Sequence, residues 1–430
     1  MYYRLRDSCK LVEGANRGAI YDFQTGKVLS INRGALQLLL ACQKSAVEEV
    51  LEIDSPDDKV FIEFLHRLID MGLGSFYLIE PTWESSPAVP AEEPKLNFLW
   101  LELTSCCNNR CLHCYATSGP CVPNDSVPHE RWLSLISEAR AAGATAIQLI
   151  GGEPLLYPRW RELVAKANEE GYDFIEIFTN ATLIDDDCIA FFKEAKVNIA
   201  TTIYADNAAV HDLVTDNPGS FAKTMESIEK ILAAGVPLRV ASIIMKANQH
   251  EVQNIMDMCT RLGLGATPPD VVRPTGRGDD RDLLPDVYAK PPIKPPFYTD
   301  PDSFCRAQRD HSCLAGKIAV TAGGDVIPCI FARNQACGNI LNTPLADVLN
   351  GQLLKECWHT TKDLIDKCRD CEFRYACHDC RPLAQGSDPE KRWLAGSVGC
   401  LYDPYTGKWK DDEPCPTRAN ATAPNGNSPS

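Results

Sequence analysis

The chain has 430 residues, 43 of them basic and 58 acidic, for a formal net charge of -15. That surplus of negative charge excludes a phosphate-backbone footprint, which needs a basic patch to release counterions, so nucleic acid is not an expected partner. Hydrophobic residues at 44% and charged residues at 23% are ordinary for a globular protein, and a length of about 150 residues per domain predicts two or three domains.

The N-terminus, Met1-Tyr-Tyr-Arg-Leu-Arg-Asp7, has no apolar segment of the secretory kind. No run approaches the roughly 18 apolar residues of a membrane span, so the expectation is a soluble, cytoplasmic protein without a membrane partner. The 20 cysteines cannot then be a disulfide framework, because the cytosol keeps thiols reduced, and metal binding is the leading account. Cys9, Cys42, Cys188, Cys259 and Cys415 stand alone and read as small buried hydrophobes.

From the N-terminus, two strand-like runs, Gly18-Ala-Ile-Tyr-Asp22 and Lys27-Val-Leu-Ser-Ile31, flank a turn at Gln24-Thr-Gly26. Helical spacing follows over 33–43 and 57–71, with a stop at Gly72 to Gly74, so residues 1–83 predict a small winged-helix-like module. The Pro- and Ser-rich stretch 84–95 reads as a linker.

Residues 96–276 alternate between strands and helices. The spacing predicts strands at 97–103, 146–150, 174–178, 197–203, 238–245 and 270–273, and helices over 130–141, 159–169, 186–194, 220–233 and 251–262. This is an α/β pattern with a parallel sheet. At roughly 175 residues it is too short for an eightfold barrel of ~250, so it predicts a partial, TIM-like (β/α)6 barrel. A Pro-rich bridge at 277–304 leads to a cysteine-rich domain at 305–410, expected to lean on metal rather than on an apolar core of its own. The small polar tail 411–430 is expected to be disordered.

The chemistry concentrates in Thr104-Ser-Cys-Cys-Asn-Asn-Arg-Cys-Leu-His-Cys-Tyr115, directly after the first barrel strand. Cys107, Cys111 and Cys114 in one loop can hold three irons of a [4Fe-4S] cube and leave the fourth open. Zinc, with His113 as fourth ligand, is the alternative, disfavoured because His113 lies inside the same tight loop. The triad followed by Tyr115, together with Ile150-Gly-Gly-Glu-Pro154 after the second strand, resembles the signature of radical S-adenosylmethionine (SAM) enzymes. Both motifs fall at the C-terminal ends of their strands, where barrel loops converge.

Gly151 and Gly152 are expected to let the backbone approach SAM, and Glu153 to accept from its ammonium group. The resemblance further implies Thr179 and Asn180 near the ribose, Thr202 near the SAM carboxylate, and Arg273 in Arg273-Pro-Thr-Gly-Arg-Gly278 as another cofactor contact. His211 and Asp212, before Pro218-Gly-Ser-Phe221, read as loop buttresses.

The C-terminal cysteines Cys313, Cys329, Cys368, Cys371, Cys377, Cys380 and Cys400 resemble the seven-cysteine SPASM pattern, with one residue fewer than usual before Cys380. The resemblance implies two auxiliary [4Fe-4S] clusters, giving three in all. Cys368, Cys371, Cys377 and Cys400 would hold the outer one, and Cys313, Cys329 and Cys380 the inner one, with Cys305 as an open candidate for its fourth ligand. Two four-cysteine zinc sites are the alternative. Cys106, Cys121, Cys337 and Cys357 have no assigned partner.

The implied activity is hydrogen abstraction by a 5'-deoxyadenosyl radical, with an electron donor such as flavodoxin or ferredoxin as partner. The N-terminal module resembles the precursor-recognition domain of ribosomal-peptide maturases, in which a leader peptide adds a strand to a sheet edge. A thioether or carbon-carbon crosslink in a peptide is therefore the expected product. Sulfatase maturation, peptide epimerisation and a non-catalytic metal-stapled scaffold are the alternatives. No catalytic acid or base stands out among the loop carboxylates.

Overall fold

A computed structural model describes residues 1–410 except 53–54, 57, 82–92, 121–124, 266–267 and 290. Most of the expected linker, the whole expected tail, Cys121 and Cys415 thus lie outside the described residues.

The chain begins with β1 (Tyr2–Leu5), β2 (Cys9–Glu13), β3 (Gly18–Asp22) and β4 (Lys27–Ile31), then α1 (Arg33–Cys42), the single turn α2 (Val47–Val50), α3 (Lys59–Asp70) and β5 (Gly74–Tyr77). The β3–β4 hairpin and the two longer helices match the spacing. The strands β1, β2 and β5 are of four or five residues, too short for a period to register.

Both faces of β3 are buried, and alternate residues serve two cores. Ile20 packs with Leu36, Leu39, Leu65 and Leu68 under the helices. Ala19 and Tyr21 face the other way, against Phe304, Phe373 and Tyr402 of the C-terminal region. The buried Glu372 clamps that contact, accepting from Ser30 Oγ at 3.0 Å and from the Tyr402 hydroxyl at 2.6 Å, while its carbonyl accepts from the Tyr21 hydroxyl at 2.9 Å. The N-terminal module is therefore built into the body of the protein.

The barrel follows as β6 (Phe98–Glu102), α4 (His129–Ala141), β7 (Ala146–Ile150), α5 (Trp160–Glu169), β8 (Phe174–Phe178), α6 (Asp186–Glu194), β9 (Asn198–Thr202), α7 (Ala208–Thr215), α8 (Ser220–Ala233), β10 (Leu238–Ala241), β11 (Ile243–Ile244), α9 (Val252–Arg261) and β12 (Asp270–Val271). Strands β6 to β10 pair in parallel in chain order, and β11 pairs with β12 separately after a break at Ser242. The run stays open, as a partial barrel should. Outward residues such as Leu99, Leu101, Ile147, Leu149 and Ile177 form the main core with Trp132, Leu135, Leu163 and Phe192 of the helices. Helix α7 is an element the spacing did not announce; Asn207 caps it, its side chain accepting from Val210 N at 3.1 Å.

The bridge contributes β13 (Phe297–Tyr298), which pairs antiparallel with Val28 and Lys27 on the edge of β4. After α10 (Pro301–Ala307) come β14 (Lys317–Val320), β15 (Asp325–Ile327) and β16 (Gly338–Asn339), then α11 (Leu345–Asn350), α12 (Gln352–Trp358) and α13 (Arg381–Ser387). Strand β14 pairs in parallel with β6, so one mixed sheet runs β10-β9-β8-β7-β6-β14-β15-β16.

The cysteine-rich region, expected to have no apolar core of its own, shares the barrel's. Ile318, Val320, Val326, Ile340, Val348 and Trp358 belong to the barrel's own core, and only the stretch around Cys368 to Cys400 is poor in regular structure. Among the described residues no helix is long and apolar enough to cross a membrane.

Candidate functional site

The loop after β6 is anchored at its start by Asp125, whose carboxylate accepts from Thr104 Oγ1 at 2.6 Å and from Ser105 N at 2.8 Å. Against it presses the turn after β7. Gly152 N donates to Thr104 O at 2.7 Å and Glu153 N to Cys106 O at 2.8 Å. A Cβ on Gly152 would lie 2.0 Å from Cys106 O, and Gly151 adopts φ +148°. The glycines thus let two barrel loops touch backbone to backbone, and both also line the central cavity.

From the other side comes the segment after β12. Arg277 donates from Nε to Cys111 O at 2.9 Å and from Nη2 to Ser118 O at 2.7 Å. Gly276, at φ +60°, brings its backbone so close that a Cβ would sit 2.3 Å from Tyr115 O. Gly276→Ala is therefore expected to displace the cysteine loop and to lower iron content and SAM cleavage together by about tenfold or more; iron analysis of the reconstituted variant checks this.

Glu153 is fully buried, and its carboxylate accepts from Thr179 Oγ1 at 2.7 Å, Asn180 N at 2.8 Å and Leu155 N at 3.0 Å. It braces the β7 and β8 turns and does not border the cavity, so the structure places it apart from the ammonium contact the motif implied. Burial pushes its carboxyl up to about 7 despite these donors. Folded protein then holds a proton that unfolded chain releases between the ordinary carboxylate range and pH 7. Stability from this group is complete at low pH and is lost as pH rises through about 7, by up to about 3 kcal/mol. In urea titrations of apoprotein, Glu153→Gln is expected to flatten that decline.

The cavity holds about 580 Å³ and is bordered by Cys107, Cys111 and Cys114 at one end. Cys107 is held up to about 12 by burial, with the charges of Glu153 and Cys114 adding to it, and Cys111 is raised by burial and by Cys114 and Cys107. The three thiols therefore share one field. Their sulfurs also receive N–H groups, from Asn109 N to Cys107 at 3.4 Å and from Ser118 N to Cys114 at 3.3 Å.

His113 packs edge-on against Tyr204 at 5.0 Å and lines the cavity with a buried Nδ1 that has no hydrogen-bond partner. Burial pushes its imidazole down to about 4. Among the described residues no three His, Cys, Asp or Glu side chains converge as a single metal ion would require; a four-iron cube instead takes its thiolates at separate corners. Three thiols on one loop that line the cavity together with His113, whose buried Nδ1 has no hydrogen-bond partner among the described residues, fit a cluster with a polar cofactor beside it.

The remaining expected contacts divide. Asn180 and Thr202 border the cavity, and Asn180 reaches Cys107 Sγ at 3.7 Å and Asn108 Oδ1 at 2.8 Å. Thr179 lies on the same rim, buried with Glu153. Tyr115 packs on Phe331 at 5.2 Å, and Arg273 lies over the same ring at 4.5 Å and pairs with Asp270 at 3.3 Å. Both also border the cavity, on the side where Phe331 of the cysteine-rich domain lines it. As expected, Asp212 buttresses a loop, accepting from Gly219 N at 2.6 Å and Phe221 N at 2.8 Å, and His211 is buried beside Tyr204. Sequence reading missed Tyr204, Arg277 and Phe331, though Tyr204 and Arg277 stood in the segments Thr202-Ile-Tyr-Ala205 and Arg273–Gly278 already singled out.

In the C-terminal domain Cys377 feels Cys368 and Cys400, and Cys371 feels Cys377 and Cys368. Separately, burial holds Cys329 up to about 12 and Cys313 and Cys380 raise it further. Cys305 packs beside Phe304 and Tyr21 in the apolar cluster that Cys371 and Cys400 also join.

Residues 101–259 match the family model of the radical SAM superfamily, and residues 312–372 match that of the SPASM iron-sulfur cluster-binding domain. The chain is 26% identical over 339 residues to an AdoMet-dependent heme synthase of Methanosarcina barkeri, covering 70% of this chain and 95% of that one. It is 27% identical over 304 residues to the antilisterial bacteriocin subtilosin biosynthesis protein AlbA of Bacillus subtilis, covering 65% of this chain and 66% of that one. In fold it is similar to Streptococcus suis SuiB bound to S-adenosylmethionine, with a TM-score of 0.53 and 14% identity over 92% of this chain and 99% of that chain.

Proposed function

The chain is a radical SAM enzyme of the SPASM type, and from that premise we propose that it matures a ribosomally made precursor peptide by forming a thioether or carbon-carbon crosslink. The observation that carries this is the N-terminal module clamped onto the cysteine-rich domain through Glu372. The fold likeness to SuiB spans a share of the chain too large to omit that module, and SuiB has also been crystallised with its precursor peptide SuiA. A leader strand would add at the β2 edge of the β2–β4 sheet, because β13 already occupies the β4 edge at Lys27 and Val28.

Cys107, Cys111 and Cys114 would hold one [4Fe-4S] cluster, the outer and inner groups two more. When bound, these groups supply one electron to SAM and a 5'-deoxyadenosyl radical for hydrogen abstraction. The protein's part is positional. Arg277 and Gly276 fix the cysteine loop, Asn180 and Thr202 border the cofactor's space, and the cavity walls keep water from the radical.

Anaerobically reconstituted enzyme given SAM, dithionite and the peptide of a neighbouring short open reading frame should release 5'-deoxyadenosine and a peptide lighter by two hydrogens. Deoxyadenosine with unchanged peptide mass would refute the crosslink and leave epimerisation. A second reading, tetrapyrrole modification, is favoured by the match over 95% of the heme synthase. Against it, 70% of this chain accounts for that match, leaving the rest without a counterpart.

A further inference from the structure

A barrel interior kept only for stability is filled with branched apolar side chains, and this one is not. The strand register places Trp100, Gln148, Glu176 and Asn198 side by side, and Ile150, Phe178, Ala200 and Arg239 nearer the cysteine end, Ile150 following from its position two residues after Gln148. Gln148 and Glu176 are buried, and the Gln148 amide donates to Glu176 Oε2. Glu176 in turn takes the side edge of the Arg239 guanidinium, with Nη2 at 2.8 Å and Nε at 3.3 Å. The small Ala200 on the strand between them leaves room for that reach.

Arg239 lies over the Phe178 ring at 5.5 Å, and its side chain, 53% exposed, borders both the cavity that holds Cys107, Cys111 and Cys114 and an adjoining recess lined by Ile255 and Pro269. A guanidinium has two planar edges. Glu176 occupies one and holds the plane fixed, and Nη1 makes no hydrogen bond among the described residues.

We infer that Arg239, oriented by Glu176 and Gln148, is a specificity-determining residue that binds a carboxylate of the substrate inside the barrel. The inference rests on the reading that the substrate enters this cavity. A carboxylate could come from an Asp or Glu side chain of a peptide or from an acidic side chain of a tetrapyrrole, and the fork would serve either.

Binding to SAM-loaded holoenzyme, without reductant, tests this apart from turnover. The probes are two pairs: a synthetic octapeptide with one central Glu against its Gln analogue, and mesoporphyrin against its dimethyl ester. Wild-type enzyme should bind the acid of one pair at least about tenfold more tightly than its neutral partner, and the pair that shows it names the source. Arg239→Gln should erase the preference, and Arg239→Lys should restore part of it. Because Arg239→Gln leaves Glu176 buried and unpaired, the double variant Glu176→Gln/Arg239→Gln keeps the test open if the single one does not fold. Equal binding of acid and neutral probe in both pairs, or a preference surviving in the double variant, would overturn the assignment. Deoxyadenosine formation under dithionite separately reads the radical reaction, so loss of one does not masquerade as loss of the other.

Discussion

Replacing Cys111 with alanine is expected to abolish reductive cleavage of SAM while leaving peptide affinity at the N-terminal module intact. Cys111 sits between two other thiols in a loop held by Arg277 and Gly276, and with two ligands left the cube loses its hold. The fall in 5'-deoxyadenosine should be about a thousandfold, the size of losing some 4 kcal/mol of transition-state stabilisation. Peptide binding should survive because the β2–β4 sheet lies in a different core from the cysteine loop. A purely scaffolding protein would have no deoxyadenosine to lose, and a variant that kept cleaving SAM would remove the triad from the site.

The second large effect concerns the auxiliary cysteines. Cys329 is deeply buried beside Cys313 and Cys380, so Cys329→Ala should reduce the holoenzyme from about twelve irons to about eight. Cys305→Ala should leave the count unchanged, because the thiols that act on Cys329 are Cys313 and Cys380. That pair of results would give the inner cluster three protein ligands and an open iron. Loss of about four irons in the Cys305 variant as well would instead make Cys305 the fourth ligand.

Much of the site was legible because radical chemistry on a cluster demands local spacing. Cys107, Cys111 and Cys114 lie within one loop, and Gly151 and Gly152 follow the next strand directly, so neither needs the fold to be recognised. The barrel helices were legible for a related reason: each carries its apolar stripe within a single run, and α6 and α8 have the bounds the period predicts. What the motif did not reveal was direction. Glu153 belonged to the expected contact set, yet its carboxylate turns inward to Thr179 and Asn180.

Composition, period and cysteine spacing therefore determined the α/β class and the cysteine triad, since each is a property of residues close together in the chain. Tertiary structure alone decided the rest. It set β14 beside β6, making the cysteine-rich region share the barrel's core. It joined Tyr21 to Glu372 and Glu176 to Arg239. Pairings across such separations leave no local period, because the free energy that selects them comes from burial and hydrogen bonds formed only when distant segments meet.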